Sequence, residues 1–340
     1  MKFLLAALAI AGAVLEAQAP TAALSAHTES LNVNASRAVA TGTRAPATSA
    51  GVPVLGYVLG PGPAEIRVIL GTARKPRLGS RLMAPEGTSR IYLPPREHYV
   101  FIENSFAQPL AIADPSRAAN AGLQIDAAPI VGAAPHPALV AFSPRGEAAL
   151  LYDSASKRIA VLTGLPASPS LMRQLPVGNA SAITEAALTD DGDLVVAATS
   201  DGKLLSSSAG GSWTTWSSAY AHQAWSFVPA SHELIMSDPA QAAIVSVSQF
   251  DKTVETRILT LQVQADRLGL TKDGEQLIAA DSANGRLWMI DLRTEALTPL
   301  ASAKVESLSC LRDGRTFLLS PSPDLSLLSF AAPDAPRLSR

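Results

Sequence analysis

The chain has 340 residues, of which 47% are hydrophobic and 16% charged, and its formal net charge is −2. A near-neutral chain without a Lys/Arg cluster lacks the electrostatic footprint of nucleic-acid-binding proteins, so we expect no nucleic-acid partner. The single cysteine, Cys310, excludes an internal disulfide, and the fold must therefore be stabilised by burial of apolar side chains.

The N-terminal segment 1–19 has the pattern of a secretory signal peptide. Lys2 gives a positive start, residues 3–15 form an apolar run, and residues 17–19 have the small-x-small form of a cleavage site. The run is shorter than the roughly 20 residues that cross a bilayer. We expect a secreted or periplasmic protein with no membrane span after cleavage, whose mature chain begins between residues 20 and 26. The alternatives are a buried N-terminal helix and an uncleaved anchor.

Residues 20–52 are rich in Ala, Thr, Ser and Pro and have no strand or helix period. Such a composition cannot bury enough apolar surface to offset the entropy of ordering, so we expect a flexible lead. About 290 residues follow, which is enough for one domain with a large core.

A phrase of two short apolar strands joined by a polar turn recurs along the rest of the chain. The copies lie at Leu82–Leu93, Leu139–Tyr152, Glu185–Ala198, Ser226–Met236, Leu268–Ala280 and Leu308–Leu319. Their turn positions are Gly87, Gly146, Gly192, His232, Gly274 and Gly314. Apolar runs separated by Asp-Gly and Asn-Gly turns are typical of β-hairpins, and no helical period follows residue 53.

A period of about 40–45 residues with four short strands per unit indicates a β-propeller. Six inner hairpins predict an all-β fold of six blades. The longer gap between Gly87 and Gly146 leaves seven blades as the alternative. We expect the propeller to span residues 53–332, followed by a tail at 333–340.

The N-terminal strands are expected to close the ring. Val54–Gly60 and Glu65–Leu70 resemble the outer hairpin Arg286–Leu300, but no inner hairpin precedes them. Val305–Phe330 supplies inner strands at the other end of the chain. Joining the two in the last blade would remove exposed sheet edges.

The segment Thr271–Glu295 resembles the repeat of YVTN-type and lactonase-like propellers. It runs through a turn, a strand, the tripeptide Ala280-Asp281-Ser282, a Gly turn at Gly285 and a strand that ends in Ile290-Asp291. The likeness extends over roughly residues 80–330 and implies a WD40-like propeller fold, but such repeats serve many functions.

A second, local resemblance is to the Asp-box of sialidase-type and photosystem-assembly-factor-type propellers. Ser206–Trp213 follows the pattern Ser-x-Asp-x-Gly-x-x-Trp, with Ser208 in place of Asp. The resemblance implies a structural turn between the outer strands of a blade, and a sugar site is the alternative. The Arg-Ile-Pro signature of sialidases is absent from the sequence.

Motifs for chemistry are few. His232-Glu233 is not followed by the second histidine of a zincin helix, and there is no Gly-x-Ser-x-Gly elbow or Walker loop. His136 lies between two prolines, where a loop role is expected and a role at the propeller mouth is the alternative. Cys310 is expected to be a small buried apolar residue rather than a nucleophile.

Two clusters of residues have both a structural and a functional interpretation. Asp190–Asp193 resembles part of a Ca²⁺ loop, but it aligns with neutral or basic turns in the other repeats. Trp213, Trp216, Tyr220 and Trp225 could form a sugar platform, but we expect them to pack on strands. We therefore assign no catalytic, cofactor-binding or metal-binding residue, and no cofactor.

The sequence favours an exported, non-catalytic, monomeric propeller that binds an unknown protein or small ligand. A lactonase-like hydrolase or isomerase acting at the central channel is one alternative, and a structural subunit of an envelope assembly is the other. Convergent carboxylates with a bound ion in the channel would favour the hydrolase.

Overall fold

A computed structural model describes residues 52–106, 108–121, 124–178, 182–218, 221–300, 302–320, 325–330 and 336–339. These residues belong to one compact unit, Ala45–Arg340. The signal segment and the lead up to residue 51 lie outside the described residues. No helix in the described ranges has the length and apolarity that crossing a membrane requires.

Within the described ranges, twenty-seven strands form seven antiparallel sheets, each a simple meander in chain order. Blade 1 contains β1 (Val54–Leu59), β2 (Glu65–Thr72) and β3 (Lys75–Met83). Blade 2 contains β4 (Thr88–Tyr92), β5 (Val100–Asn104), β6 (Ala111–Ala113), α1 (Pro115–Ala121) and β7 (Ala127–Pro129). Blade 3 contains β8 (Leu139–Phe142), β9 (Ala149–Asp153), β10 (Arg158–Thr163) and β11 (Ser170–Pro176).

The remaining blades have four strands each. Blade 4 contains β12 (Ile183–Leu188), β13 (Val195–Thr199), β14 (Leu204–Ser207) and β15 (Thr214–Trp216). Blade 5 contains β16 (Ala224–Phe227), β17 (Leu234–Asp238), β18 (Ala243–Ser248) and β19 (Glu255–Leu261). Blade 6 contains β20 (Arg267–Leu270), β21 (Gln276–Asp281), β22 (Arg286–Asp291) and β23 (Leu297–Pro299). Blade 7 contains β24 (Ser309–Cys310), β25 (Thr316–Ser320), β26 (Ser326–Ser329) and β27 (Arg337–Ser339).

The fold is therefore an all-β propeller of seven blades, and the expectation of six blades is wrong. Apolar clusters lie between neighbouring blades, including one that joins blade 7 to blade 1. β8, β12, β16, β20 and β24 are neighbours around the centre, so the first strand of each of these blades lines the central channel. Stacking blades face to face buries both sides of each sheet, which no single sheet could do alone.

The four glycines at corresponding repeat positions lie in equivalent turns, as the repeats predict. Gly146, Gly192, Gly274 and Gly314 join the first strand of a blade to the second and have φ between 69° and 76°. In each turn the glycine N–H donates to the carbonyl three residues earlier, at 2.9–3.0 Å. This left-handed conformation favours glycine. The end of the channel with these turns is called the turn face, and the opposite end the connection face.

Gly87 is not a member of this set, which explains the error in blade number. It lies between β3 and β4, where the chain passes from blade 1 to blade 2. The true inner turn of blade 2 runs from Leu93 to Tyr99 and contains no glycine. A copy counted from Gly87 therefore merged parts of two blades into one.

Blade 1 has three strands among the described residues, and their directions show which positions of the blade they fill. The chain leaves β3 at the connection face to begin β4, so β3 runs opposite to the innermost strands and β1 runs in the same sense as β3. β1 also begins beside the inner turn of blade 7, because Arg312 N–H donates to Leu55 C=O at 3.3 Å. β1 thus has the direction of a second strand. No described strand pairs with its inner edge.

The expected closure through the last blade is consequently wrong. β1, β2 and β3 form their own sheet, and blade 7 has four strands of its own. The ring closes by face-to-face packing, in which Leu55 and Ile69 of blade 1 contact a cluster with Leu311 and Leu327 of blade 7. This interface buries apolar side chains without sharing a strand.

Two further expectations differ from the structure. The helix α1 (Pro115–Ala121) interrupts the expected run of strands in blade 2 and contacts β3 of blade 1. The segment expected to form a tail after residue 332 contributes β27, which pairs with β26.

Candidate ligand site in the central channel

The central channel contains a cavity of about 550 Å³. Its walls come from the innermost strands of blades 2, 3, 5, 6 and 7, together with β1 of blade 1. Most lining side chains are apolar, including Ile91, Val140, Phe142, Leu268, Leu270 and Leu308. An apolar concavity of this size with few polar groups matches the usual form of a small-ligand site.

The inner turn of blade 2 folds across the turn face of the channel. Arg96 N–H donates to Cys310 C=O of blade 7 at 3.3 Å, and Arg96 Nη2 donates to Lys272 C=O of blade 6 at 3.2 Å. The next residue, Glu97, accepts the Tyr57 N–H of blade 1 through Oε2. We call Pro94–His98 the channel loop. It links blades 1, 2, 6 and 7 and leaves Arg96 only 7% exposed.

The shape of the channel loop depends on an unusual backbone. Arg96 and Glu97 have φ of 66° and 48°. Residues other than Gly and Asn rarely adopt this left-handed backbone conformation. Two prolines precede them, which restrict φ at their own positions and carry no N–H. The hydrogen bonds to three other blades hold the strained pair in place.

Glu97 replaces part of the strand that blade 1 lacks. In a complete blade, the inward-facing N–H groups of the second strand pair with the carbonyls of the first. In blade 1 the Tyr57 N–H meets the Glu97 carboxyl instead. Gly56 makes room for this contact, because a Cβ at that position would overlap Glu97 Oε2 and lie 3.0 Å from Leu311 Cδ2.

Burial controls the charge of this carboxyl. Glu97 is 3% exposed, and burial raises its pKa to about 8, against the lowering effects of the Tyr57 N–H and of Arg312. A carboxyl with this pKa is mostly protonated at pH 7. At pH 7 the turn-side end of the cavity therefore has a mostly neutral carboxylic acid, whereas a glutamate exposed on the surface would be a charged carboxylate.

Cationic groups surround the same end. Burial lowers the pKa of His98, and the charges of Arg312, Arg96 and Lys272 lower it further. Acidic groups lie near this end as well, since Asp114 acts on His98, and Asp313 and Asp273 act on Cys310. Among the described lining residues of the cavity, however, the charged groups are Arg96, Lys272 and the mostly protonated Glu97.

Cys310 lies on β24 and lines the cavity, half-buried. Burial raises the pKa of its thiol to about 12, and its Sγ donates to Leu311 C=O at 3.7 Å. The thiolate is the reactive form of cysteine, and this pKa disfavours it strongly at pH 7. Cys310 was expected to be buried, and the structure places it at the channel wall with part of its surface exposed.

His136 lies in the connection from blade 2 to blade 3, as its place between two prolines predicts. Its Nδ1 is 3.1 Å from Glu103 Oε1, and the other oxygen of Glu103 accepts the Tyr92 hydroxyl at 2.7 Å. Burial, followed by the hydrogen bond to Glu103, raises the pKa of Tyr92 to about 12. Tyr92 lines the cavity, so this chain of contacts connects the channel with the connection face.

A second polar group lies between blades 4 and 5. His222 stacks on Trp225, with ring centroids 4.6 Å apart and an interplanar angle of 15°. His222 Nε2 is 3.5 Å from Glu185 Oε2. The cavity lining does not include these three residues.

A further cavity of about 490 Å³ lies between blades 2 and 3, outside the channel. Its lining includes His98, Asp114, Arg117 and Asp126. Arg117 is mostly exposed and lies 3.5 Å from Asp114, within α1 and its N-terminal cap. This cavity is open to solvent, and its lining has both acidic and basic side chains. These side chains do not indicate one kind of ligand.

The carboxylates of Asp190–Asp193 act within and between turns. Asp190 accepts the Arg145 N–H at 2.6 Å and the Ala230 N–H at 2.8 Å, which ties blade 4 to both neighbours. Asp191 accepts the Thr189 hydroxyl and lies 3.0 Å from His232 Nε2. Among the described residues, no group of three or more His, Cys, Asp or Glu side chains is placed to hold a metal ion.

The segment Ser206–Trp213 lies between β14 and β15, the two outer strands of blade 4, where the Asp-box resemblance places it. Trp213 Nε1 donates to Pro176 C=O at 3.0 Å, and Arg173 of blade 3 donates to the carbonyls of Ser207 and Ser208. The segment therefore fastens blade 4 to blade 3.

The tryptophans do not form one platform. Trp213 contacts the cluster between blades 3 and 4, whereas Trp216 is buried between blades 4 and 5, with its ring 5.4 Å from Phe250. Trp225 stacks on His222, and Tyr220 lies outside the described residues. Strand packing accounts for Trp213 and Trp216.

Sequence signals pointed to several of these residues but not to the channel loop. Nothing in Leu93-Pro94-Pro95-Arg96-Glu97 follows the repeat pattern, and a buried glutamate on a left-handed backbone has no sequence signature. The two consecutive prolines were the available sign that this turn differs from the others.

Comparison with known proteins supports the fold. Hydrazine synthase of Kuenenia stuttgartiensis matches with a TM-score of 0.52 at 11% identity, over 85% of this chain and 99% of that chain. A functionally unknown protein from Desulfotomaculum acetoxidans DSM 771 matches with a TM-score of 0.45 at 11% identity, over 71% and 74%. The Cps50 (Swd1) β-propeller domain of Myceliophteria thermophila has a TM-score of 0.42 at 16% identity, over 60% and 70%.

No protein-family model matches the chain, and no curated protein matches it. At 11% identity the match to hydrazine synthase bears on the fold alone, and the two matches with TM-scores below 0.5 support no argument.

Proposed function

We propose that this protein is an exported, non-catalytic propeller that binds a small ligand or a segment of a partner protein in its central channel. The observation that carries the proposal is the apolar cavity of about 550 Å³ whose turn face is covered by the channel loop. A channel covered at one face gives a ligand one way in and a wall to contact at the end.

The cavity favours binding over hydrolysis. Glu97 is the one carboxyl among its described lining residues, and its pKa of about 8 keeps it mostly protonated at neutral pH. A lactonase-like site would need convergent carboxylates, or another base, to activate water. The thiol of Cys310 has no activating base among its hydrogen-bond partners.

Binding in the channel can be tested with the anionic dye 1-anilinonaphthalene-8-sulfonate, whose fluorescence rises in apolar sites. We expect one dye per chain for the unaltered protein. Ser226→Trp should abolish this binding, because Ser226 lines the cavity and an indole there would fill it. Thr256→Trp, at an exposed position on β19, the outermost strand of blade 5, should bind as the unaltered protein does. Equal binding by both variants would reject the channel as the site.

Export is the second part of the proposal. It is supported by Lys2, the apolar run 3–15 and the small residues at 17–19, followed by the lead 20–52. N-terminal sequencing of the natural protein should begin between residues 20 and 26. Recovery of Met1 from a cytosolic fraction would remove the export proposal but leave the channel proposal intact.

The finer family assignment is also a proposal. The repeat pattern of Thr271–Glu295 supports a relation to YVTN-type and lactonase-like propellers, and Ser206–Trp213 supports a degenerate Asp-box. We further propose that the protein acts as a monomer. Light scattering of the purified mature chain should give the mass of one copy.

A further inference from the structure

The inner edge of β1 is an incomplete sheet edge that faces the channel. β1 pairs with β2 on one side, and no described strand pairs with the other side. Gly60 N–H bonds to Glu65 C=O, toward β2, whereas Tyr57 N–H points away to Glu97. Because backbone groups alternate between the two edges, Leu59 presents its N–H and C=O on the same side as Tyr57.

The turn-side half of this edge is occupied and the connection-side half is open. Arg312 N–H donates a hydrogen bond to the Leu55 carbonyl, and the Glu97 carboxyl accepts one from the Tyr57 N–H. Leu59 lines the cavity and is 46% exposed. An unpaired edge with regular backbone geometry is a template for strand addition.

The occupied half also decides from which side an added strand could come. A strand that entered from the turn face, through a tight turn before Val54, would first have to pair with Leu55 and Tyr57. Arg312, Leu311 and Glu97 already fill that space. An added strand must therefore enter from the connection face. If it pairs with β1 as the first strands of blades 3 to 6 pair with their second strands, it is antiparallel to β1 and runs toward the turn face.

Charge selects which end of a peptide leads. The described lining of the cavity includes two cationic side chains, Arg96 and Lys272, and its one carboxyl, Glu97, is kept mostly neutral by burial. A chain that runs from the connection face toward these cations along β1, antiparallel to it, presents its C-terminal carboxylate to them. Polarity and charge thus agree.

We infer, on the basis of the proposed channel function, that the vacant first-strand position of blade 1 binds the free C-terminal end of an extended apolar peptide from a partner protein. The peptide adds to the Tyr57–Leu59 edge of β1, its apolar side chains contact the channel wall, and its carboxylate lies near Arg96 and Lys272. Peptide capture by strand addition with a terminal carboxylate is an established recognition mode in other folds.

The first experiment measures fluorescence anisotropy of a dye-labelled pentapeptide of alternating valine and threonine with a free C-terminal carboxylate. The full chain should bind it in the micromolar range at low salt, and the C-terminally amidated peptide should bind at least about tenfold more weakly. Lys272→Met, which keeps the side-chain stem that packs at Gly314, should reduce the difference between acid and amide.

The second experiment separates strand addition from plain burial of an apolar acid. A strand bonds to its neighbour through every second residue, so N-methylation should weaken binding about tenfold at alternate positions and little at the others. Dodecanoate is the rival ligand, because it offers a carboxylate and an apolar chain but no backbone. Strong dodecanoate binding together with a flat N-methyl series would overturn the inference.

Variants of Leu59 test the edge itself. Leu59→Pro removes the N–H on the open edge, whereas Leu59→Ala keeps it and removes only the side chain. We expect Leu59→Pro to lose most peptide affinity and Leu59→Ala to keep most of it, with melting temperatures recorded for both. If Leu59→Pro unfolds, the N-methyl series on the unaltered protein decides.

Two other results would contradict the inference. Dye binding in the channel without peptide binding up to millimolar concentration would reject the peptide and preserve the channel site. Peptide binding only after removal of residues 20–51 would mean that this chain's own lead occupies the position, which also rejects a partner peptide.

Discussion

At the scale of single residues, the side chain of Glu97 accepts a hydrogen bond that the backbone of a neighbouring strand would accept in a complete blade. Its carboxyl accepts the Tyr57 N–H on the edge where blade 1 has no first strand. A carboxyl is a stronger acceptor than a carbonyl when ionised, but burial keeps it mostly protonated at pH 7. The hydrogen bond to Tyr57 N–H therefore requires a titratable group, Glu97, to be buried in the core.

This arrangement makes stability depend on pH. The pKa of Glu97 is about 8 in the folded protein and near 4.5 in an unfolded chain, so between these values the folded state holds a proton that the unfolded state has released. The contribution of Glu97 to the free energy of unfolding should fall by about 1.4 kcal/mol per pH unit as pH rises through this window.

Chemical denaturation of the unaltered protein and of Glu97→Gln at pH 5, 6, 7 and 8 measures this effect. The variant keeps an amide oxygen for Tyr57 but does not titrate. The difference in unfolding free energy between the two proteins should therefore favour the unaltered protein least at pH 8. A difference that stays constant over the series would show that Glu97 is ionised, or solvated, in the folded state.

Gly56 is required by the same contact. A methyl group there would overlap Glu97 Oε2 and press on Leu311, so Gly56→Ala should lower the free energy of unfolding by about 1–3 kcal/mol. Gly62→Ala in the same hairpin is the control, since its nearest neighbour would be 4.0 Å away. In a double-mutant cycle, Glu97→Ala should recover part of the loss at Gly56. Additive losses would mean that the two residues do not share space.

At the scale of elements, the inner turns form a ring of contacts around the turn face. The second residue of three turns bonds to a neighbouring blade: Asp190 accepts N–H groups from Arg145 and Ala230, Lys272 N–H donates to Gly314 C=O, and Arg312 N–H donates to Leu55 C=O. The turns thus lock blade to blade as well as strand to strand.

Removing Asp190 tests this lock. Its carboxyl is 7% exposed, and Asp190→Ala would leave the partly buried Arg145 N–H and the exposed Ala230 N–H without this acceptor. We expect a loss of about 1–3 kcal/mol in unfolding free energy, mainly from the Arg145 N–H. Asp251→Ala, an exposed aspartate in the β18–β19 turn, should change it by less than about 0.5 kcal/mol. Equal effects in denaturant titrations would show that the lock does not contribute.

These turns were also the part of the fold that the sequence could predict. Gly146, Gly192, Gly274 and Gly314 have left-handed backbones that L side chains rarely adopt, so the local physics leaves a mark in the residue type. The channel loop left no such mark, since Arg96 and Glu97 are held in left-handed conformations by bonds to three distant blades. Tertiary contacts of this kind cannot be inferred from a local pattern.

The blade number failed for a related reason. The sequence likens β1 and β2 to the outer hairpin Arg286–Leu300, which contains the third and fourth strands of blade 6. In the ring they instead occupy the second and third positions of blade 1, because β3 follows as its outermost strand. The local apolar pattern indicates a hairpin, but it does not indicate the position of that hairpin in a blade.

At the scale of the whole molecule, closure depends on packing rather than on a shared strand. Blade 1 lies between blades 7 and 2, and its two faces contribute to two of the apolar clusters. The channel loop adds hydrogen bonds from blade 2 to blades 1, 6 and 7, across the junction where the chain begins and ends its ring.

Deleting β1 and β2 should therefore open the ring. A chain that begins at residue 75 loses the buried side chains Leu55, Tyr57, Val58, Ile66, Val68 and Ile69. At about 1.5–3 kcal/mol for each buried apolar side chain, the loss rivals the whole stability of a typical domain, roughly 5–15 kcal/mol. Blades 2 and 7 would in addition expose the apolar faces that pack against blade 1.

We expect the chain that begins at residue 75 to aggregate or to lack a cooperative thermal transition in differential scanning calorimetry. A chain that begins at residue 50 retains both strands and should melt like the mature protein. Equal, cooperative transitions for the two chains would show that blade 1 is dispensable and that the propeller is held closed by other contacts.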